Sequence, residues 1–287
     1  DPKCYPAVAK QISDLNCDVL VTTGFIAATD DGQITTLGRC GSDYSATIFG
    51  AIVGADEVQI WTDVSGVMTT DPRIVPTARS IPELSFTEAS ELAWYGAKVL
   101  HPATMQPAIE NDIPVRVKNT AHPDHPGTVI RRHETPDPDA GAVKSLAVMK
   151  NVSLIHISSG RMFGTHGFMS KVFDAFNRNA VDIHMIATSE VTLSVTTPHG
   201  ENAEKADEDI RAFAGVTVEK GLSLISVVGE KMKGTPGTAA RVTKAMAEHM
   251  VNIRMISQGA SEINIALVVE GDQTQTAVKA LHGELFE

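Results

Sequence analysis

The second half of the chain contains one pattern twice. When residues 153–186 are moved forward by 70 positions, identical residues coincide along much of the segment. The SLI at 153–155 meets the SLI at 223–225, and two glycines of the turn that follows coincide as well. After an insertion of two residues, the dipeptide Ser-Glu at 189–190 meets the same dipeptide at 261–262. Such self-similarity predicts two copies of one supersecondary unit.

Each copy reads as strand, helix, strand, strand, helix, and the first copy adds a final strand, which gives the ferredoxin-like order. In the first copy these elements are predicted at residues 152–157, 168–177, 181–187, 191–197, 203–213 and 216–219. The second copy reaches Glu287 one strand short, while residues 145–149 are strand-like and have no evident partner. A vacant sheet edge and a spare strand predict that this strand completes the second copy, with the first copy inserted between its two parts.

The first half of the chain alternates strands with helices. Strands are predicted at 18–23, 58–61 and 115–118, and helices at 42–55, at 85–95 and after Pro102. Ser85 and Glu88 have the spacing of a capping box at the start of the second of these helices. The alternation predicts a mainly parallel sheet that is covered on both faces.

A polar, proline-rich stretch separates the two halves, and we interpret residues 133–142 as a linker. The predicted domains are therefore a first domain at 1–132 and two repeat units behind the linker. The second unit comprises 143–158 and 215–287, and the first unit is inserted at 159–214.

The composition limits which partners and which cellular compartment are expected for this chain. A formal net charge of -11 argues against nucleic acid or an anionic membrane as a general partner. The cysteines, Cys4, Cys17 and Cys40, are odd in number and lack metal-ligand spacing, which fits a reduced compartment. We find neither a signal peptide nor an apolar run of the ~18 residues that a membrane helix needs. We expect a cytoplasmic protein, or one of the plastid stroma in a plant or alga, and the start at Asp1 suggests a fragment or a processed product.

A glycine turn at 38–43 (GRCGSD) places a cation beside a carboxylate. Ser42 or Asp43 is predicted to cap the next helix, so the turn presents backbone N–H groups and the positive end of a helix dipole. Such a place attracts a carboxylate or phosphate, and Arg39 adds a bidentate donor. Asp43 would repel that anion unless it faces an ammonium group, and a zwitterionic amino acid meets both demands. The alternative is an ordinary strand-to-helix turn with a polar cap and a surface arginine.

The segment 61–73 (WTDVSGVMTTDPR) follows the carboxyl end of a predicted strand, where open α/β sheets bind ligands. Thr62 and Asp63 could hold a sugar or the edge of a base, and Arg73 could hold a phosphate. The alternative is a solvated loop with an aspartate turn.

The segment 95–102 (YGAKVLHP) places Lys98 shortly after a glycine that ends a helix. A lysine near nucleotide phosphates neutralises the charge that grows as a phosphoryl group leaves. The alternative is a solvated surface lysine. His101, which precedes a proline, is better read as a helix-entry residue than as a catalyst.

In this order, the three segments resemble the aspartate kinase family. TTLGRCGSD at 35–43 is similar to the family's TTLGRGGSD, WTDVSGVMTTDPR to its WTDVxGxxTxDPR, and FTEASELAWYGAKVLHP at 86–102 to its EAxELxxxGAKVLHP. The likeness continues through IPVRVKNTAHPDHPGTVI and both repeats to the final LHGELF. It implies an α/β fold with the carboxyl-side portion of an amino-acid-kinase sandwich, followed by tandem ferredoxin-like ACT units. It also implies transfer of the ATP γ-phosphoryl group to the β-carboxylate of L-aspartate.

The resemblance implies the site residues as well. Those that would hold aspartate are Arg39, Cys40, Gly41 and Ser42, with Arg39 on a carboxylate. Those that would line the ATP site are Thr62, Asp63, Met68, Arg73, Lys98 and Val99. The implied catalytic residues are Arg39, Asp43 and Lys98: Asp43 would face the substrate ammonium or orient the lysines, and Lys98 would stabilise the transferring phosphoryl group. Mg2+ would arrive with ATP rather than sit in a protein cage.

Three departures from the family pattern stand out. Cys40 takes a place where the family has glycine, so either its backbone keeps a negative φ or the turn differs slightly. Met68 stands where relatives often carry an aromatic residue, although methionine can still pack against adenine. The lysine- and glycine-rich opening segment of the family, similar to KFGGTS, does not occur in this sequence, and neither do the first strands of the sheet. The chain is therefore expected not to catalyse the reaction by itself.

The first repeat contains a candidate effector site. Its turn at 162–168 (MFGTHGF) can offer N–H groups to an α-carboxylate, and Asp182 and Glu190 could receive ammonium groups. One carboxylate and two ammonium groups describe a basic amino acid, and TSEV after VDIHMIA resembles the lysine-sensitive enzymes. We expect L-lysine to bind between paired first ACT units at Met162, Thr165, Phe168, Val181, Asp182, Ser189 and Glu190. The alternative is a glycine turn with solvated acids.

The second repeat departs from this pattern, because Asn252 replaces the aspartate and Pro236 enters its turn. It is expected to serve self-association more than binding, and exposed sheet edges favour a dimer or tetramer. Inhibition would shift the population toward an ACT arrangement that disfavours the closed kinase. The alternative function is a non-catalytic amino-acid-sensing ACT protein with a kinase remnant, which need not bind nucleotide.

Overall fold

The computed structural model describes residues 4–15, 17–96, 100–132, 141–160 and 166–287. The chain divides into two compact units. The first consists of Asp1–Pro72 and Thr77–Ala140, and the second of Gly141–Glu287 together with Arg73–Pro76. A stretch of four residues from the first half of the sequence thus folds with the second half.

The first unit mixes short strands with helices. Its elements are α1 (Cys4–Ser13), β1 (Ile26–Ala28), β2 (Ile34–Thr36), α2 (Gly41–Val53), β3 (Val58–Thr62), β4 (Glu83–Ser85), α3 (Phe86–Trp94), α4 (Pro102–Glu110), β5 (Val115–Asn119) and β6 (Thr128–Arg131). β1 and β2 form an antiparallel pair, and the other four strands form a sheet in the order β3-β5-β6-β4. β3 is parallel to β5 and β4 to β6, whereas β5 and β6 are antiparallel. The expected sheet is therefore mainly parallel, with one antiparallel pair at its centre.

Alternation along β5 fixes which face of this sheet is buried. Val115 and Val117 are fully buried, while Arg116 and Lys118 on the other face are half-buried. Arg116 forms an ion pair with Glu57, at 2.8 Å from Nε to Oε2. The period of two places apolar side chains on one face and charged ones on the other.

Helix α3 begins as the capping box predicts. The N–H of Glu88 donates to Ser85 Oγ at 3.1 Å, and the N–H of Ser85 donates to Glu88 Oε2 at 3.0 Å. Two N–H groups at the start of the helix, which have no partner within the helix itself, are thereby satisfied.

The strand expected at 18–23 is not formed, so that expectation is wrong. Val19 and Val21 are 78% and 89% exposed, and the segment carries no strand residues. A strand is stabilised by the strands beside it. Because no described strand pairs with this segment, its apolar run has no sheet to join.

The second unit contains one six-stranded antiparallel sheet and four helices in its described part. Its elements are β7 (Ser145–Ser158), α5 (Phe168–Arg178), β8 (Met185–Thr188), β9 (Thr192–Pro198), α6 (Glu201–Arg211), β10 (Gly215–Val228), α7 (Thr238–Glu248), β11 (Met255–Ser257), β12 (Asn264–Glu270) and α8 (Thr274–Phe286). The strand order is β11-β12-β10-β7-β9-β8. β8 begins four residues later than the strand predicted at 181–187.

The two central strands, β7 and β10, serve both repeats. Leu224 to Val228 pair with Met149 back to Ser145, and Val216 to Glu219 pair with Ile157 back to Leu154. Between the two paired stretches the register shifts. There Asn151 and Gly221 both have positive φ, 59° and 74°. The strand at 145–149 thus lies against the second copy, and the domain boundaries drawn above stay a prediction.

Each repeat has its own core. In the first, Val172 and Phe176 of α5 pack with Ile210 of α6 against the central strands. In the second, Val242 of α7 takes the place of Val172, and both valines are fully buried. The residues that coincide in the repeat therefore have the same structural role.

Most of the predicted linker lies outside the described residues, which omit 133–140. None of the helices in the described part of the chain combines the length and the apolar character that a membrane crossing requires.

Candidate functional site

The start of α2 and the end of β3 lie at the same edge of the first unit. Only residues 54–57 join these elements, so the helix and the strand run in opposite directions. A Cβ on Gly50, near the end of α2, would lie 2.4 Å from Val58 Cγ2 at the start of β3. The helix of 13 residues is about 20 Å long and the strand of 5 residues about 17 Å. The first turn of α2 therefore lies near the carboxyl end of β3, where open α/β sheets bind ligands.

Cys40 leads the chain into α2 in a left-handed conformation, with φ 54° and ψ 30°. Of the two alternatives for Cys40, a negative φ is therefore excluded. A glycine adopts this region without strain, whereas another residue loses about 1 kcal/mol there. Cys40 thus keeps the backbone shape that a glycine would have, and Arg39 beside it is exposed.

The helix begins earlier than the sequence predicts. α2 starts at Gly41, with Cys40 at its N-cap and no side-chain hydrogen bond at the cap. Ser42 and Asp43 lie in the first turn, so the expectation that one of them caps the helix is wrong. Gly41 is buried, and a Cβ there would lie 2.7 Å from Phe25 Cδ2. This close contact fixes the start of the helix against the preceding loop.

Asp43 is a half-buried acid in the first turn of α2. Burial raises the pKa of its carboxyl, and a hydrogen bond from Ser42 Oγ at 3.4 Å opposes the rise. A cation beside this carboxylate would restore part of the lost solvation and lower the pKa again. The group is therefore suited to face an ammonium ion.

Thr62 and Asp63 stand at the carboxyl end of β3. Thr62 Oγ1 donates to Asp63 Oδ1 at 3.1 Å, and the aspartate is exposed. These two predicted nucleotide-site residues are therefore adjacent in space as well as in sequence. Met68, a few residues on, is half-buried and forms an isolated bridge with Ser80.

The remaining residues of the predicted kinase site are Arg73, Lys98 and Val99. Arg73 is exposed and belongs to the stretch that folds with the second unit. Lys98 and Val99 lie outside the described residues. His101 is the N-cap of α4, where its Nδ1 accepts the N–H of Ala103 at 3.3 Å, as a helix-entry residue would.

Sequence reasoning missed the residues that hold the loop after β3. Asn119 ends β5 beside Thr62, and its Nδ2 donates to Ser65 Oγ at 2.9 Å. Thr120 follows, and its N–H donates to the carbonyl oxygen of Thr62 at 2.8 Å. The signal available in the sequence was the polar pair Asn-Thr at the end of a strand that neighbours β3.

The predicted effector residues are distributed around α5 and β8. Phe168 starts α5 and is buried in the core, where its ring meets Phe213 edge-on at 6.0 Å between centroids. Val181 is half-buried, and Asp182 is exposed. Met162 and Thr165 lie outside the described residues.

Ser189 and Glu190 follow β8 in the turn to β9, and both are exposed. Ser189 closes this turn, since its N–H donates to the carbonyl oxygen of Thr192 at 2.8 Å. Asp182 lies before β8 and Glu190 after it, so the strand separates the two acids.

Comparison with known families matches both parts of the chain. Residues 4–119 match the amino acid kinase family, and residues 155–210 and 225–285 match the ACT domain. The chloroplastic aspartokinase 2 of Arabidopsis thaliana is 40% identical over 298 residues, which cover 99% of this chain and 54% of that protein. The chain belongs to the aspartokinase family.

Solved aspartokinases share the fold. Escherichia coli aspartokinase III in complex with aspartate and ADP, the R-state, gives a TM-score of 0.84 at 36% identity, over 98% of this chain and 64% of that one. The same enzyme in complex with lysine and aspartate, the T-state, gives 0.83 at 35% identity, over 99% and 65%. This aspartokinase chain thus spans about half the length of the curated relatives it matches.

Proposed function

We propose that this protein transfers the γ-phosphoryl group of ATP to the β-carboxylate of L-aspartate, and that L-lysine inhibits the reaction through the ACT units. The proposal rests on the α2 turn and the β3 carboxyl end, which we place toward one edge of the first unit from the short connection between α2 and β3. The turn supplies one guanidinium group and one carboxylate, from Arg39 and Asp43, as a zwitterionic substrate requires. The E. coli relative, solved with aspartate and ADP, supports this pair of ligands.

In this proposal Arg39 binds a substrate carboxylate in a bidentate manner, and Asp43 faces the substrate ammonium group. Thr62 and Asp63 hold the nucleoside end of ATP, and Lys98 neutralises charge on the phosphoryl group as it transfers. Magnesium bound to ATP supplies further positive charge at the phosphates. Because the acceptor carboxylate is already a nucleophile, these residues bind and orient the reactants rather than remove a proton.

The effector part of the proposal rests on the position of two acids. Asp182 and Glu190 lie beyond opposite ends of β8, which is about 13 Å long for 4 residues. A lysine molecule is too short to contact both within one chain. β8 is also an edge strand of its sheet. Antiparallel pairing of β8 with its copy in a second chain would bring Asp182 of one protomer beside Glu190 of the other, which supports lysine binding between paired ACT units.

The complex of the E. coli relative with lysine and aspartate supports lysine as the effector. Pairing through β8 gives two equivalent effector sites for each pair of chains, because the same patch of each protomer meets its copy. The proposed assembly is a dimer, or a tetramer built from such dimers.

The test is formation of aspartyl phosphate, trapped with hydroxylamine as the hydroxamate. We expect turnover by a chimera in which this chain replaces the aligned 64% of E. coli aspartokinase III. In the chimera, Arg39→Gln should raise the KM for aspartate by about tenfold or more, because a charge-assisted bidentate contact is lost. Arg211→Gln, on α6 of the second unit, is the control. A chimera that binds ATP but phosphorylates no aspartate would contradict the proposal.

A further inference from the structure

The loop that follows β3 is fixed by a buried amide on the neighbouring strand. We propose that Asn119 is a positioning residue for the ATP site: it acts through Ser65 to hold Thr62 and Asp63 in place. The inference rests on the proposed function, because it assigns a task at the nucleotide site. Asn119 lies in the segment 113–130 (IPVRVKNTAHPDHPGTVI), to which the sequence alone assigned no role.

The pairing of β3 with β5 places Asn119 at the edge of the sheet where the nucleotide is proposed to bind. β3 and β5 are parallel, and Asn119 lies opposite Thr62 at their carboxyl ends. The residue is only 5% exposed, which is unusual for a polar side chain at the end of a strand. Buried side-chain amides in proteins generally have hydrogen-bond partners.

Both ends of the Asn119 amide are used. Nδ2 donates to Ser65 Oγ at 2.9 Å, and Oδ1 accepts the N–H of Ala121 at 2.9 Å. The bond from the Ala121 N–H fixes the Asn119 side chain to the backbone two residues further on. The bond to Ser65 therefore holds Ser65 at a fixed position. Ser65 is two residues from Asp63 and three from Thr62.

Three other contacts hold the rest of the loop. The N–H and Oγ1 of Thr120 donate to the carbonyl oxygen of Thr62 at 2.8 and 3.1 Å. Ser80 Oγ donates to the carbonyl oxygen of Ser65 at 2.8 Å, and the N–H of Val67 donates to Thr128 Oγ1 at 2.8 Å. The backbone is thus held at residues 62, 65 and 67, while the side chain of Asp63 faces outward.

These three contacts hold backbone atoms of the loop, whereas Asn119 holds a side chain. It fixes the side chain of Ser65 from inside the unit, at the midpoint of the loop. Losing this bond would leave a buried donor without a partner, and the loop would shift to satisfy it. A displacement of about 1 Å at binding groups is enough to weaken a productive geometry substantially. Asn119 therefore controls nucleotide affinity without touching the nucleotide.

The test compares Asn119→Ala with Ser65→Ala in the 287-residue chain. Asn119→Ala removes both hydrogen bonds of the amide, whereas Ser65→Ala removes only the acceptor of the bond from Asn119. We expect each change to weaken Mg·ATP binding, measured by calorimetry, by about tenfold, and the double variant to be no weaker than either single one. L-lysine affinity, measured on the same samples, should stay unchanged because its site is in the other unit.

Asn111→Ala is the matched control. Asn111 is also in the first unit, and its Nδ2 donates to the carbonyl oxygen of Pro107 at 2.8 Å. The variant should lose an amide hydrogen bond without changing ATP affinity. Equal weakening by Asn111→Ala would overturn the inference, since the effect would then be general. Wild-type ATP affinity in both Asn119→Ala and Ser65→Ala would overturn it too, while leaving the proposed function in place. If the unmodified chain bound no Mg·ATP, the proposed function and this inference would fall together.

Discussion

The carboxylate of Glu262 accepts a hydrogen bond from the backbone N–H of Gly234, with 2.8 Å between Oε2 and N. In the repeat, Glu262 is the counterpart of Glu190, and Gly234 is the counterpart of Gly164. Glu262 has a left-handed backbone with φ 58°, so this contact holds a strained residue. In the second repeat the protein's own carboxylate therefore occupies a turn like the one at which the first repeat is proposed to take the carboxylate of lysine.

This relationship makes Glu262→Gln a matched control for Glu190→Gln. Glu190→Gln should weaken L-lysine binding by about tenfold or more, because a charge-assisted contact with an ammonium group is lost. Glu262→Gln should leave lysine affinity unchanged and lower the free energy of unfolding by about 1 kcal/mol. Calorimetry and denaturant unfolding measure the two effects. If Glu190→Gln bound lysine like the wild type, Glu190 would not belong to the effector site.

Asp207 on α6 should make the second unit less stable as the pH rises. The residue is buried, and its Oδ1 has no hydrogen-bond partner within the described part of the chain. Burial raises the pKa of its carboxyl from 3.8 to about 6, and Arg211 and Lys220 oppose the rise. The folded state therefore holds this proton more tightly than the unfolded state does. This contribution to stability is complete below the unfolded pKa and is lost as the pH rises from about 4 through about 6.

Asp207→Asn removes that titration. The variant should be more stable than the wild type at neutral pH, and the difference should shrink as the pH falls through the same window. Glu208→Gln, on the exposed face of the same helix, is the matched control. Urea unfolding across the pH range measures the difference between each variant and the wild type. A difference for Asp207→Asn that stays constant with pH would contradict the assignment.

Gly127→Ala should severely destabilise the first unit. Gly127 has φ 72°, and a Cβ there would lie 1.9 Å from the carbonyl oxygen of Val117. We expect a loss of about 3 kcal/mol or more, from the clash together with the strained φ. Gly32→Ala isolates the cost of the strained φ, because Gly32 has φ 84° with nothing within 4 Å of the added carbon. It should lose only about 1 kcal/mol in denaturant unfolding. Equal losses would show that the close approach to Val117 is not the cause.

Leu146→Ala tests the strand that completes the second repeat. Leu146 is buried in β7 and packs in the core with Ile225 and Ile265. Its truncation should lower the free energy of unfolding by about 2–4 kcal/mol, whereas Lys150→Ala at an exposed position of the same strand should change it little. An effect of Leu146→Ala no larger than that of Lys150→Ala would mean that this strand contributes little to the second core.

The parts of the fold that the sequence predicts well are those with local or repeated signals. The capping box at Ser85 and Glu88 forms because both of its bonds lie within one helical turn. The duplication shows that the second copy lacks one strand. It therefore predicts that the strand at 145–149 pairs with that copy. Val172 and Val242 occupy equivalent core positions for the same reason.

The parts that the sequence predicts poorly depend on tertiary partners. The apolar run at 18–23 forms no strand, because periodicity cannot say whether a neighbouring strand is present. The φ of Cys40 follows from how the turn packs, with Gly41 pressed against Phe25, and not from the residue type. Asn119 and Ser65 are 54 positions apart, so no local pattern reveals their hydrogen bond.

The most direct test of the central claim is calorimetric titration of this chain with Mg·ATP, followed by L-lysine. A nucleotide site at the end of β3 predicts saturable binding with a Kd below about 1 mM, weakened by Asp63→Asn and by Lys98→Met. Lysine that binds to a chain with no saturable affinity for Mg·ATP would contradict the claim and would identify a sensor without kinase function.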